Sequence, residues 1–187
     1  MHWTLDLAVG LALVDFLSGL VHWAEDTFAT ETTPILGRWI VTPNVLHHAD
    51  PVAFAAKSWI ASSWDLVLAS GLLLVLSVPL GLFGPGAVLL AVLGANANQL
   101  HKWCHVPRHA PRIVRGLWRI GLLQGPRHHA RHHRGAQNQA YCVVTPFLNP
   151  LLDRLRFWRA LERLTVPLFG APRRTDLRTG ADRSASD

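Results

Sequence analysis

The chain has 187 residues, of which half are apolar and only 16% are charged, against about 25% charged in ordinary soluble domains. Its length indicates one domain, and its composition argues against a soluble enzyme and for a membrane protein. The net charge of +6 predicts an anionic partner, which by charge alone could be a phospholipid headgroup or nucleic acid. Cys104 and Cys142 are the two cysteines and form no CxxC pattern, which argues against a disulfide scaffold and favours reduced thiols.

Three apolar blocks follow in chain order, each long enough to cross a bilayer as a helix. They cover residues 3–23, 59–83 and 86–103. The first block differs from a cleaved signal peptide because it lacks a basic start and contains Asp6 and Asp15. The glycine-rich stretch 81–86 predicts a tight turn between the second and third blocks.

The positive charges predict the orientation of these helices. All 18 Lys and Arg residues are Arg38, Lys57, or residues at Lys102 and beyond. Cytoplasmic loops are enriched in Lys and Arg, so the N-terminus and the 81–86 turn are expected outside. We therefore predict an all-α, multi-pass protein of a bacterial-type inner membrane, with about three transmembrane helices and further helices at the cytoplasmic face.

The segments outside the apolar blocks predict shorter elements. Thr42-Pro43 is typical of a helix start, and Asp50-Pro51 of a helix end followed by a new start. Residues 111–124 and 151–164 mix apolar side chains with arginines, which predicts helices lying in the membrane interface. Residues 1–171 are expected to form one membrane domain, and residues 172–187 a disordered polar tail.

Nine of the 11 histidines fall into four groups. They are His22, then His47 and His48, then His101 and His105, then His128, His129, His132 and His133. Members four residues apart, and Asp26 four residues after His22, share one helix face and could bind the same ion. His47 and His48 would diverge on a helix and are expected to serve different ions or different layers of the site. All four groups map to the predicted cytoplasmic face.

The histidine pattern is compatible with several kinds of site. The basic run 127–134 alone would also fit a nucleic-acid or headgroup patch. A structural zinc site needs four ligands, whereas nine histidines and Asp26 suit two ions, and nitrogen ligands suit iron, zinc, copper or nickel. A zinc- or nickel-binding transporter or sensor is one class, although the apolar stretch 66–82 argues against a transport path. The second class is a lipid-oxidising enzyme. Such an enzyme would attack an unactivated C–H bond, which favours iron with O2 over zinc.

Polar residues near the histidines are candidates for supporting roles. Asp15 lies seven residues before His22 on the same helix face, where it could orient a ligand. Asn98 and Gln99 precede His101 inside an apolar block, where polar groups are costly and mark functional sites or helix–helix hydrogen bonds. A phosphate headgroup is expected to lie near Arg127, Arg131 or Arg134, where charge-assisted hydrogen bonds to phosphate can form.

Several ordered motifs resemble those of the plasmanylethanolamine desaturase family, also called the Kua or lipid desaturase domain family. The motifs are residues 15–26, 34–37, 47–51, 98–105, 126–133, 141–142, 149–151 and 157–162. The resemblance extends to the related plant acyl-lipid trans-desaturase and covers about residues 15–170. Members usually carry another apolar segment before the first motif, which here follows 14 residues.

The resemblance implies an O2-dependent oxidoreductase that converts the alkyl chain of an ether phospholipid to the vinyl ether of a plasmalogen. An acyl-lipid desaturase or a hydroxylase with the same kind of site remains an alternative. The family implies two iron ions and no catalytic residue beyond their ligands. These ligands are His22, Asp26, His47, His48, His101, His105, His128, His129, His132 and His133. It also implies a cytochrome b5-like or ferredoxin-like electron donor and no nucleic-acid partner.

Overall fold

The structure, a computed structural model, describes residues 3–28, 47–48, 50–134 and 137–170. The helices are α1 (Trp3–Thr27), α2 (Pro51–Ala56), α3 (Trp59–Ser77), α4 (Pro85–Ala95), α5 (Ala97–His105), α6 (Arg112–Arg119), α7 (Pro126–His129), α8 (Leu148–Arg154) and α9 (Phe157–Phe169). No strand occurs among the described residues, which confirms the all-α prediction for that part of the chain. The predicted helix start at Thr42-Pro43 and the predicted tail 172–187 lie outside it.

Two helices, α1 and α3, are long and apolar enough to cross a membrane, judged by length and composition. The predicted third span is divided, because α4 ends at Ala95 and α5 begins at Ala97. Between them, Asn96 has φ −105° and ψ 4°, and its side-chain amide donates to the Val92 carbonyl at 2.8 Å. An asparagine that bonds its own preceding turn competes with a regular helix. The expected count of three spans is therefore not confirmed.

The helices α1 and α4 run parallel because their first turns meet. The Asp6 carboxylate accepts a hydrogen bond from the Gly86 amide at 2.8 Å, where a negative charge is favoured by the helix dipole. Gly10 also faces the Gly86 backbone, and a Cβ at either glycine would overlap the other helix. The turn around Gly81, which has φ 68°, returns the chain from α3 to α4. The start of α1 and the predicted 81–86 turn thus lie at one end of the helices, and the grouped histidines lie at the other.

A non-helical segment, residues 140–145, is buried against α1. The Asp15 carboxylate accepts from the Val144 amide at 3.1 Å and from the Thr145 amide and hydroxyl at 2.7 Å each. The Ser18 hydroxyl accepts from the Val143 amide at 3.1 Å. Two buried apolar clusters flank this contact, one with Val14, Ala97, Leu100, Val143 and Val144 and one with Trp23, Tyr141, Cys142, Leu152 and Trp158.

The predicted interfacial helices are shorter than expected. The first is α6, and the second is divided into α8 and α9 by Arg156, whose φ is 52°. This left-handed residue lets α9 turn away from the axis of α8. The outer face of α9 exposes Leu164 and Leu168, as expected for a helix that contacts lipid.

Candidate metal centre

Eight of the nine grouped histidines meet at one end of the helices. The first group contains His47, His101, His105, His129 and His133, and the second contains His22, His47, His48 and His132. Within each group, one potential ligand atom per residue lies within 4.8 Å of all the others. His47 belongs to both groups, so the two are adjacent, and this favours a centre for two ions over a single structural site.

In the first group, the Nε2 atoms converge. The distance is 3.1 Å between His101 and His105, 3.1 Å between His105 and His129, and 2.9 Å between His129 and His133. A neutral imidazole has one N–H, so hydrogen bonds cannot satisfy a nitrogen that faces two others. Nitrogens bound at about 2.1 Å to one ion would be spaced in this way. The residues therefore fit a transition metal.

Burial keeps the imidazoles of the first group neutral. Burial and repulsion between neighbouring histidines lower the pKa of His105 to about 4 and that of His133 to about 2. The same causes hold the pKa of His47 and of His129 well below the usual value. At neutral pH these nitrogens therefore carry lone pairs, which metal binding requires.

In the second group, backbone carbonyls orient two rings. The Nδ1 of His22 donates to the Tyr141 carbonyl at 3.1 Å, and the Nδ1 of His132 donates to the Gln139 carbonyl at 2.9 Å. A carbonyl oxygen only accepts, so each ring has its proton on Nδ1 and can use Nε2 as a ligand. Both Nε2 atoms face the same Asp26 oxygen, at 3.6 and 3.1 Å. Lone pairs facing a carboxylate oxygen repel it unless a cation lies between them.

Asp26 contacts a third histidine of this group. Its other carboxylate oxygen lies 3.0 Å from the Nε2 of His48. Since Asp26 is buried, its charge requires compensation by positive charge nearby. The position of Asp26 fits the predicted alternatives of a metal ligand or an acceptor that orients the ligand rings.

The two carbonyls that orient the second group were not predicted from sequence. They belong to Gln139 and Tyr141, and the residue between them, Ala140, has φ 56°. This left-handed conformation costs roughly 1–2 kcal/mol for a residue with a Cβ, and the Ala140 amide is held by the Asp153 carboxylate at 3.1 Å. A backbone carbonyl has no signature in the sequence, which is why side-chain motifs missed it.

The structure does not bring every predicted ligand to the centre. His128 lies outside both groups, and its Nε2 is 3.4 Å from the side-chain amide of Asn149. It was expected to bind the same ion as His132, but α7 ends at His129, so the four-residue helical spacing does not apply. His47 and His48, expected to serve different ions or layers, both belong to the second group.

The predicted supporting residues have different outcomes. Within the described part of the chain, Asp15 bonds to Val144 and Thr145 and not to a grouped histidine; it anchors the segment whose Tyr141 carbonyl holds His22. The Asn98 side chain donates to the Ser62 carbonyl and joins α5 to α3. Gln99 is partly buried on α5. Arg127 and Arg131 are exposed, and Arg127 lines an open cavity of about 570 Å³ together with Arg115 and Arg119; Arg134 is also exposed.

A mainly apolar cavity of about 190 Å³ reaches the centre from between the long helices. Its walls come from α1, α3, α4 and α5. Leu73 and Leu90 line its far end, and His101 of the first group and His22 of the second line the near end. Such a cavity would accept an unbranched hydrocarbon chain and direct it to the histidines.

A model of the lipid desaturase domain matches residues 11–176. The chain belongs to the lipid desaturase family. It is 33% identical to the plasmanylethanolamine desaturase of Myxococcus xanthus over 97% of this chain and 68% of that relative. It is 32% identical to plasmanylethanolamine desaturase 1 of Mus musculus, over 92% of this chain and 68% of that relative. No solved structure matches the chain.

Plant members of the lipid desaturase family are also similar. The chloroplastic fatty acid desaturase 4 of Arabidopsis thaliana is 32% identical over 82% of this chain and 48% of that protein. The resemblance inferred from the motifs is therefore confirmed, and this lipid desaturase is an oxidoreductase. Its two apolar helices and its family fit a membrane protein.

Proposed function

We propose that this lipid desaturase uses O2 and two iron ions to introduce a vinyl ether double bond into the alkyl chain of a phospholipid, which forms a plasmalogen. The observation that carries the proposal is the apolar cavity, because it ends at His22 and His101, one from each histidine group. The bacterial and mouse relatives are named for this reaction on ethanolamine lipids, and this supports the choice of substrate.

The ligands of the two ions follow from the two groups. His101, His105, His129 and His133 would hold one ion, and His22, His48, His132 and Asp26 the other, with His47 between them. Iron suits nitrogen and carboxylate ligands. When bound, it supplies the oxidising power for a reaction in which CH2–CH2, O2, two electrons and two protons give CH=CH and two water molecules. His128 is not among the proposed ligands.

The protein itself positions the chain and excludes water. The walls of the cavity include Val14, Leu66 and Leu90, and each methylene group buried there contributes about 0.8 kcal/mol to binding. His22 and His101 line the mouth, so the carbons that reach them are the ones that react. The depth of the cavity beyond these residues determines where along the chain the double bond forms.

The orientation in the membrane follows from charge. Lys57 and Lys102 meet near the histidine end of the helices, where the Lys102 ammonium donates to the Lys57 carbonyl. Asp6 lies at the opposite end. By the preference of Lys and Arg for the cytoplasmic side, the active site faces the cytoplasm of a bacterial-type inner membrane. Arg127 and Arg131 would bind the phosphate of the headgroup.

Expression in a host that makes alkyl ether lipids but no plasmalogen tests this function. Lipid mass spectrometry should show new acid-labile vinyl ethers, and the purified protein should contain iron. The His101→Ala variant should lose the product, whereas His109→Ala, at an exposed histidine outside the centre, should retain it.

The other outcomes identify the alternatives. New double bonds in acyl chains would indicate an acyl-lipid desaturase, and hydroxylated chains a hydroxylase. A protein that contains zinc or nickel and consumes no O2 would contradict the proposal and favour a metal transporter or sensor.

A further inference from the structure

An open groove of about 820 Å³ lies along α9. Its lining comes from α9, from Asp153 at the end of α8, and from residues 138–139. It shares no lining residue with the apolar cavity between α1 and α3. The groove and the cavity are therefore distinct.

The charge that this groove presents to solvent is positive. Arg156, Arg159 and Arg163 line it and are exposed. Its two carboxylates are occupied within the protein, because Glu162 is buried and bonds to Arg159 at 3.0 Å, and Asp153 accepts from the Ala140 amide. The surface therefore suits an acidic partner.

The arginines lie on the side of α9 away from its exposed apolar face. Within α9, Arg159 and Arg163 are four residues apart and share one face, and Arg156 lies at the start of the helix, whereas Leu164 and Leu168 share a different face. The leucines are 72% and 77% exposed. If they contact the bilayer, the arginines face the aqueous phase, which favours a protein partner over a lipid headgroup.

Aromatic rings connect this groove to the metal centre. Trp158 lines the groove, and its ring centroid lies 5.0 Å from that of Tyr141. The Tyr141 ring lies 5.0 Å from the His132 ring and 5.8 Å from the His22 ring. Two buried rings thus separate the groove from two proposed ligands of one ion.

We propose that this groove is the docking site of an acidic one-electron carrier protein and that Trp158 and Tyr141 form the route from it to the metal centre. The inference rests on the proposed function, which consumes two electrons for each double bond. Each docked carrier loses one electron and the metal pair gains it, so two successive carriers supply one turnover.

The first test measures binding to the iron-loaded full chain in lipid nanodiscs. The probes are the soluble domain of a cytochrome b5 and a plant-type ferredoxin, both acidic. The test variant is Arg156→Asn/Arg163→Gln. Asparagine is chosen at position 156 because it tolerates the left-handed backbone conformation found there. Arg159 is kept because it bonds to Glu162. The matched control, Arg108→Gln/Arg112→Gln, removes two exposed charges outside the groove.

Wild type should bind at least one carrier, more weakly as salt rises. The groove variant should bind about tenfold more weakly, with unchanged iron content, and the control variant should bind as wild type does. Equal binding by the groove variant would overturn the proposal. So would a groove variant with normal carrier affinity but altered co-purified anionic lipid, since this would identify a headgroup site.

The second test measures how fast a pre-bound, reduced carrier reduces the iron, by stopped-flow absorbance without lipid substrate. Trp158→Leu should slow this step at least tenfold, while Trp158→Phe, which keeps a ring, should slow it less. Equal rates in wild type and in both variants with normal iron content would overturn the route. This test measures iron reduction and not lipid product, so its result does not depend on the proposed function. The proposed function fails only if the reduced enzyme makes no unsaturated lipid.

Discussion

The Nδ1 of His22 donates to the carbonyl oxygen of Tyr141 at 3.1 Å, across 119 residues of sequence. This bond connects the first helix to the C-terminal half of the chain and leaves Nε2 of His22 available as a ligand. Asp15, which lies seven residues before His22 on α1, binds the same segment through the Thr145 amide. Metal binding in the second group therefore depends on how residues 139–145 are held.

The Asp153 carboxylate should control this segment. We expect Asp153→Ala to lower the free energy of unfolding by about 1 kcal/mol, because the buried Ala140 amide loses its acceptor. Loss of ring orientation should also weaken metal binding about 10- to 100-fold. Asp153→Asn keeps an acceptor oxygen and should change both quantities less. Metal titration and thermal unfolding of the purified variants would check this, and normal metal affinity in Asp153→Ala would contradict it.

The different positions of His128 and His132 predict different metal contents. His132→Ala should lose iron because its ring is buried between Asp26 and the Gln139 carbonyl. His128→Ala should retain the iron content of wild type because its ring contacts Asn149 instead. Elemental analysis of the two purified variants measures this directly. A loss of iron in His128→Ala equal to that in His132→Ala would show that His128 is a ligand after all.

Narrowing the far end of the apolar cavity should impair the reaction without affecting the metals. Leu90→Trp would place a larger side chain where the hydrocarbon is proposed to lie. Product from long chains should fall about tenfold or more, because overpacking costs roughly 1–3 kcal/mol, while iron content stays constant. Val88→Trp, on the same helix but exposed and outside the cavity, serves as the control. Equal activity of both variants would argue against this substrate path.

The stability of the metal-free protein should depend on pH. Burial lowers the pKa of His105 to about 4, whereas an unfolded histidine has a pKa of about 6.5. As pH falls between these values, the unfolded state takes up protons that the folded state does not, so the free energy of unfolding decreases. The melting temperature of the metal-free protein should be constant above about pH 7 and fall towards pH 4. His105→Asn should show a weaker dependence, and a melting temperature independent of pH would contradict the buried neutral state.

Much of the architecture was predictable because it follows from local patterns. The apolar stretches that became α1 and α3 are visible in composition alone, and Asp50-Pro51 does begin α2, with the Asp50 side chain accepting from the Val52 and Ala53 amides. The rings of His101 and His105 approach through Nε2, as their four-residue spacing on α5 indicates. These features depend on the helical repeat and on the burial of apolar surface, which the order of residues specifies directly.

Other features depended on contacts between distant segments. Helix α4 stops before Asn96 because that side chain bonds the Val92 carbonyl, and Asp15 binds residues 144–145 instead of a histidine.

Local sequence patterns specify which residues could bind metal and that these residues lie near one end of the helices. Packing between distant segments brings His47 into both groups, leaves His128 outside them, and places the carbonyls of residues 139 and 141 where they orient two rings. The physical reason is that a helical repeat specifies only which side chains share a face. Which ring reaches the centre, and which backbone carbonyl holds it, depends on how segments more than 100 residues apart pack together.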